Sequence, residues 1–172
     1  MKHLLKLTLA AALILCSSSV FAQKFGYINL EELYGSMPEN DSIEIKLKAF
    51  HDDLLAQLEA IQVEFNNKLE DYQKNASTYT DAVRQMKEKD LTDMQASMQE
   101  FNQSAQRDLN NKNLELRTPM INRADDAVKK VSKANGFLIV FNASETSSAM
   151  AYYDEASMTN VLPMVKKELG IQ

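Results

Sequence analysis

From Glu39 to Thr118 the chain runs for 80 residues without a glycine or a proline. All seven such residues lie outside that block, at Gly26, Gly35, Pro38, Pro119, Gly136, Pro163 and Gly170. Helices of globular domains average about 11–12 residues, so an uninterrupted block of this length constrains the fold more than any other feature. It calls for long helices in the middle of the chain, with the punctuated structure at its two ends.

Inside the block, apolar residues fall at Ile43, Leu47, Phe50, Leu54, Leu58, Ile61, Phe65, Leu69 and Tyr72. From 43 to 72, 29 residues pass in eight steps, or 3.63 per step, which is one stripe on a helix. Asn40-Asp41-Ser42, with Glu44 three residues after Asp41, predicts the start of that helix as a capping box. Beyond Tyr72 the stripe gives way to a polar cluster, which predicts a turn near 74–80. The stripe then resumes at Leu91, Met94, Met98, Phe101, Ala105 and Leu109, passes Lys112, and continues through Leu116, Met120, Ala124, Val128 and Val131. Here 40 residues pass in eleven steps, or 3.64 per step. Such a period fits an eleven-residue repeat better than a heptad, so nearly straight or slightly right-handed pairing is expected.

Two helices joined by a short turn lie antiparallel. Residues 41–76 would span about 54 Å at about 1.5 Å per residue. The expectation is a helical hairpin arm over 41–118. Each residue of such an arm meets only one partner helix, so its core is thin. Pro119 removes a backbone donor and crowds the preceding turn. A kink or break is therefore expected near 117–119, making Pro119 a hinge, with helix continuing to about Lys133 and Asn135-Gly136 as its C-cap.

The ends read as strands. Residues 25–30 form a short β-like run. Residues 137–141, Phe-Leu-Ile-Val-Phe, are apolar throughout and predict a fully buried strand. A third strand is expected at 149–153, joined by a hairpin loop at 143–148, and a last helix from Ser157 to Gly170 with Pro163 in its first turn. Three short strands make a marginal sheet with open edges. The fold class is thus α+β: a long two-helix arm on a β-rich body formed by 23–40 and 119–172. Cover for the open edges is expected from further copies of the chain, through Phe25, Tyr27, Ile28, Phe137, Ile139, Phe141, Tyr152 and Tyr153.

Residues 1–22 read as an export signal. Lys2 and Lys6 precede an apolar run over 7–16, and Val20-Phe21-Ala22 offers a cleavage pattern. A lipoprotein signal at Cys16 is the alternative, though Leu15 stands where a small residue is needed. Cleavage after Ala22 removes the only cysteine and leaves 17 basic against 24 acidic residues, a net charge of −7. Disulfide and thiol chemistry are then excluded. A chain this acidic is a poor partner for nucleic acid.

No arrangement of side chains calls for catalysis, a metal or a cofactor. His51 has Leu47 and Leu55 four residues to either side, with Lys48 and Leu54 at three, so it lacks the spaced partners of a metal site. The distal end of the arm is richer. Tyr72 and Tyr79 flank the turn, and Met86, Met94, Met98 and Phe101 follow. Methionine is flexible and polarizable and suits surfaces that accept many apolar shapes. Met94 and Met98 sit on the stripe and also serve as seam filling.

The segments 24–39 (KFGYINLEELYGSMPE), 127–144 (AVKKVSKANGFLIVFNAS) and 151–170 (AYYDEASMTNVLPMVKKELG) resemble the Skp/OmpH family of periplasmic chaperones. That resemblance implies a homotrimer with a shared β-barrel body and three arms around a cavity. It implies ATP-independent holding of unfolded outer-membrane proteins; the client contacts expected from the arm's own residues are Tyr72, Tyr79, Met86, Met94, Met98 and Phe101. The acidic charge departs from the basic members of that family and speaks against a lipopolysaccharide site. A structural or adaptor protein of the envelope, with the hairpin as spacer, is the rival reading.

Overall fold

The computed structural model describes residues 24–144 and 152–171. The expected export signal lies outside them, as do residues 149–151 of the expected third strand. The elements run β1 (Lys24–Ile28), α1 (Leu30–Ser36), α2 (Pro38–Asn75), a 3-10 turn (Ala76–Thr78), α3 (Asp81–Asn135), β2 (Phe137–Asn142), β3 (Thr159–Asn160) and α4 (Leu162–Leu169). The described residues form two compact units, a body of 24–32 together with those from Asp126 onward, and an arm of Leu33–Asp125.

In the arm, α2 starts earlier than the sequence suggests. Pro38 opens it and Met37 provides no side-chain cap, because a proline in the first turn forfeits only a donor that would be unpaired there. Asn40, read from sequence as part of the cap, instead accepts a hydrogen bond from Arg117 Nη1 at 3.1 Å. The turn forms where the stripe dissolves. Thr78 Oγ1 donates to Asn75 O at 2.7 Å, and Thr80 caps α3 by accepting from Val83 N at 3.4 Å. α3 then passes through Pro119 to Asn135 as one helix, so the chain does not break there. Thr118 Oγ1 donates to Leu114 O at 2.6 Å in the turn beside the proline.

The two arm helices are antiparallel along their length. Lys68 pairs with Asp90, Lys87 with Asp71, Arg117 with Glu44 and Arg123 with Glu39. The two residue numbers of these pairs add to 158, 158, 161 and 162, so the register stays near constant from tip to root. Every stripe residue of α2 is buried or half-buried. Of these, Ile43 and Phe65 are the most deeply buried, near the two ends of that stripe. The thin core thus follows from geometry, since one neighbouring helix cannot cover a whole side chain.

In the body the sheet has the order β2-β1-β3, with both pairs parallel. A parallel pair needs a crossover connection, and the helices between Ile28 and Phe137 supply it for β1 and β2. The register opens with Lys24 opposite Phe137 and then Phe25 opposite Ile139, so Leu138 is an extra residue in the ladder. Gly26, at the centre of β1, is required by close packing. A Cβ there would lie 2.9 Å from Val161 Cγ1 and 3.3 Å from Thr159 O.

Two expectations about the body are corrected. Tyr152 and Tyr153 are not in a strand; the third strand is Thr159–Asn160 and joins β1 directly. Asp154 bends the chain just after Tyr153, accepting from Ala156 N at 3.1 Å through its carboxylate and from Ser157 N at 3.1 Å through its carbonyl. The last helix consequently starts at Leu162, not at Ser157, with Leu162 N held by Asn160 Oδ1 at 3.0 Å. β2 is not fully buried within one chain either: Leu138 is 58% and Ile139 44% exposed.

The core of the body is formed by Ile28, Ala127, Val131, Val161, Leu162 and Val165. Fully buried Ser144 is satisfied by Asn142 Oδ1 at 2.6 Å. Asn29 caps α1 by accepting from Glu32 N at 3.1 Å. Gly136 and Gly170 end α3 and α4 with φ of 71° and 72°, the left-handed backbone that glycine adopts without a Cβ penalty.

Candidate functional site

The tip of the arm is a tied cluster. The rings of Tyr72 and Tyr79 lie 6.3 Å apart at 35°. Tyr72 donates to Glu88, and Tyr79 donates to Asp71 Oδ2 at 3.2 Å. Lys87 Nζ also reaches Asp71 Oδ2, at 3.2 Å, and stands 5.9 Å above the Tyr79 ring. The Lys87 ammonium and the Tyr79 hydroxyl hold the Asp71 carboxyl below its usual range. The Glu88 carboxylate raises the Tyr72 phenol. These groups lock the turn and keep the two rings half-exposed at its surface.

Among the other residues singled out on the arm, Met86 is 62% exposed, just beyond the tip. Met94, Met98 and Phe101 are half-buried on the inner stripe of α3. They are therefore seam residues with part of each side chain still open.

One side of the seam is hollow. Three depressions of about 910, 160 and 350 Å3 follow one another from the Val63 and Gln95 end to the Glu44 and Asn113 end. The first two share Leu55, Leu58 and Asn102, and the last two share His51 and Leu109, so they form one continuous groove. The α2 wall carries Leu55, Leu58 and Val63 beside Glu59 and Gln62, while the α3 wall carries Met98 and the carboxamides of Gln95, Gln99 and Asn102. Sequence reading missed this groove, because the glutamines at 95 and 99 stand out only as polar neighbours of the methionines, and the apolar stripe does not show that the positions one residue further on form one wall. Further apolar side chains stand out on the arm at Ile45 and Leu114, 70% and 65% exposed.

In the body, the residues expected to meet other copies fall into two groups. Ile28 is 2% exposed and fills the core of its own chain. Phe25, Tyr27, Phe137, Phe141 and Tyr153 are half-buried, and Ile139 and Tyr152 are exposed. Tyr27 and Tyr153 pack ring on ring at 5.0 Å. No group of three or more metal-ligating side chains occurs among the described residues, and no described helix is long and apolar enough to cross a membrane.

Comparison with known proteins adds a consistent result. The family model described as "Outer membrane protein (OmpH-like)" matches residues 24–169. The Chaperone protein Skp of Yersinia enterocolitica is 26% identical over 152 residues, covering 87% of this chain and 90% of that protein. That of Photorhabdus luminescens is 25% identical over 161 residues, covering 92% of each. A solved structure from Caulobacter crescentus CB15, described as an OmpH-like outer membrane chaperone, superposes with a TM-score of 0.69 at 12% identity. It covers 86% of this chain and 83% of that one, and the likeness extends to the fold.

Proposed function

Because the chain belongs to the OmpH-like family, we propose that it is a non-enzymatic, ATP-independent holding chaperone of the periplasm. It binds unfolded outer-membrane proteins in a cavity between helical arms and keeps them from aggregating. The observation that carries this reading is the family match across 24–169. The character of the arm supports it. A spacer would show a dry seam with polar faces elsewhere, whereas this arm leaves Ile45, Leu55, Val63, Met86 and Leu114 more than half exposed. Many weak apolar contacts on a thin, deformable arm suit clients of no fixed shape, and release then needs no fuel.

The body is the seat of assembly in this reading, and a homotrimer is the assembly. β2 and β3 are the sheet edges, and the exposed Leu138 and Ile139 give β2 an apolar surface for a second copy. Tyr72, Tyr79 and Met86 at the tip, with the open sides of Met94, Met98 and Phe101, contact the client. Pro119 gives the arm its point of bending.

The test is aggregation of a urea-unfolded outer-membrane β-barrel protein on dilution, with and without the mature chain. Suppression at one assembly per client is the expected result. Undiminished light scattering at that ratio defeats the reading.

A further inference from the structure

The return helix carries three stripes, and only one of them is the seam. With about 100° between successive residues, Gln95, Gln99, Asn102, Gln106, Asn110 and Asn113 fall on one flank of α3, roughly 90° from the apolar stripe. Asp90, Asp93, Glu100, Asp108 and Glu115 fall on the opposite flank. Between Glu88 and Arg117 the first flank carries no charge at all. This partition coincides with the groove, since all six carboxamides line it and none of the five acids does. Four of the six, Gln95, Gln99, Gln106 and Asn110, make no side-chain hydrogen bond among the described residues.

We propose that this carboxamide-walled groove holds an extended segment of an unfolded polypeptide by hydrogen bonds to its backbone. The inference rests on the chaperone reading and names the surface where the client lies. A carboxamide offers two donors and an acceptor, the same chemistry as the peptide group it would meet. The α3 wall is uncharged, and the charged lining of the groove is confined to Glu44, Lys48 and Glu59 on the α2 side, whereas the arm as a whole, Leu33–Asp125, carries 11 basic against 17 acidic residues. From Gln95 to Asn113 the wall runs about 27 Å, room for about eight residues of extended chain at about 3.3 Å each. Successive carboxamides rise about 5.4 Å per helical turn, whereas an extended chain repeats every two residues at about 6.6 Å. The two spacings do not match, so no register is selected and the segment can slide. Leu55, Leu58 and Val63 on the α2 wall take whatever apolar side chains the segment presents.

The experiment compares three triple variants of the mature chain, each checked for helix content by circular dichroism. The probe is a fluorescently labelled, urea-unfolded outer-membrane β-barrel protein. Gln95→Glu/Gln99→Glu/Gln106→Glu keeps side-chain length but replaces the groove donors. Gln95→Met/Gln99→Met/Gln106→Met keeps length and neutrality but removes hydrogen bonding. Ser97→Glu/Ser104→Glu/Asn111→Asp adds the same charge to the other flank. The expected result is about a tenfold loss of affinity for both groove variants and less than twofold for the third. Equal loss in both charged variants, or undiminished binding by the methionine variant, overturns the proposal. A photoreactive residue at position 99 should crosslink to client, and one at 111 should not. A position-99 adduct to a second copy of the arm that persists in the presence of client also overturns it. If the unaltered chain binds no client, the chaperone reading falls as well; if it binds but the groove variants match it, only the groove assignment falls.

Discussion

Lys68 Nζ lies 2.9 Å from Asp90 Oδ2, bridging the two arm helices 22 residues apart in sequence. Asp90 and Glu64 together raise the Lys68 ammonium above its ordinary value. The pair is more than a third exposed, so solvent screens it and its worth is small. A double-mutant cycle with Lys68→Ala and Asp90→Ala is expected to give a small favourable coupling that falls as salt is added. The effect should be read in arm amide exchange, where a loss of register would show first.

The tip should respond to acid. Asp71 is held below its ordinary range by Lys87 and then by Tyr79. A carboxylate whose folded value is lowered contributes stability that is complete above the unfolded value of about 3.9 and is lost as pH falls through the lower folded value. The turn should therefore stay closed at neutral pH and loosen progressively below about pH 4. Lys68, raised by its partners, works in the other direction: its contribution is complete below about pH 10.4 and lost above that. Amide exchange across 71–88, followed from pH 7 downward, checks the acid limb. In Asp71→Asn the acid-dependent part should disappear.

Phe65 is 8% exposed and marks the best-packed point of the distal seam. Phe→Ala in a core costs about 3–5 kcal/mol, and a site with one partner helix should fall at the low end. The expected outcome of Phe65→Ala is local: faster amide exchange on both helices around 58–100, with the body and its assembly unchanged. Loss of assembly would show that the arm and body are not independent in stability.

The helical hairpin was legible because its signal is periodic and repeated. The apolar stripe residues from Ile43 to Tyr72 and from Leu91 to Val131 all proved buried or half-buried, and the turn came where Lys74-Asn75-Ala76-Ser77-Thr78 interrupts the stripe. The body was less legible because its pairing is carried by the backbone. β3 is two residues long and exposed on both side chains, so Thr159 and Asn160 leave no pattern to read. Val161 N donating to Tyr27 O at 2.9 Å fixes the strand instead, together with the space left by Gly26. The start of α2 was misplaced because Asn40 and Glu44 look like capping residues, yet both are partners of Arg117, which stands 77 and 73 residues away. The carboxamide flank was not legible as one wall for a related reason, since its periodicity is that of polar residues, which usually mark only a solvated face.

Gly26→Val tests the central close approach in the body. The added side chain must displace Val161 and the Thr159 backbone, both within 3.3 Å of the new Cβ. Overpacking of this kind costs about 1–3 kcal/mol. The expected outcome is a lower urea midpoint with an unchanged slope, and loss of exchange protection at the Val161 amide that pairs with Tyr27.

The exposed edge strand yields the last prediction. Leu138 and Ile139 stand out from β2 at 58% and 44% exposure, and one of the two open sheet edges runs along the same strand. Burying apolar surface yields about 25 cal/mol per Å2, and an edge strand left bare invites pairing with another chain. If β2 is the seat of assembly, Leu138→Lys/Ile139→Lys should reduce the sedimentation mass of the mature chain to that of a monomer. Far-ultraviolet circular dichroism should be unchanged, because neither side chain belongs to the core of its own chain. A full-mass assembly in the double variant would move the interface away from this strand, and the enclosed cavity that holding requires would then need a different arrangement of arms.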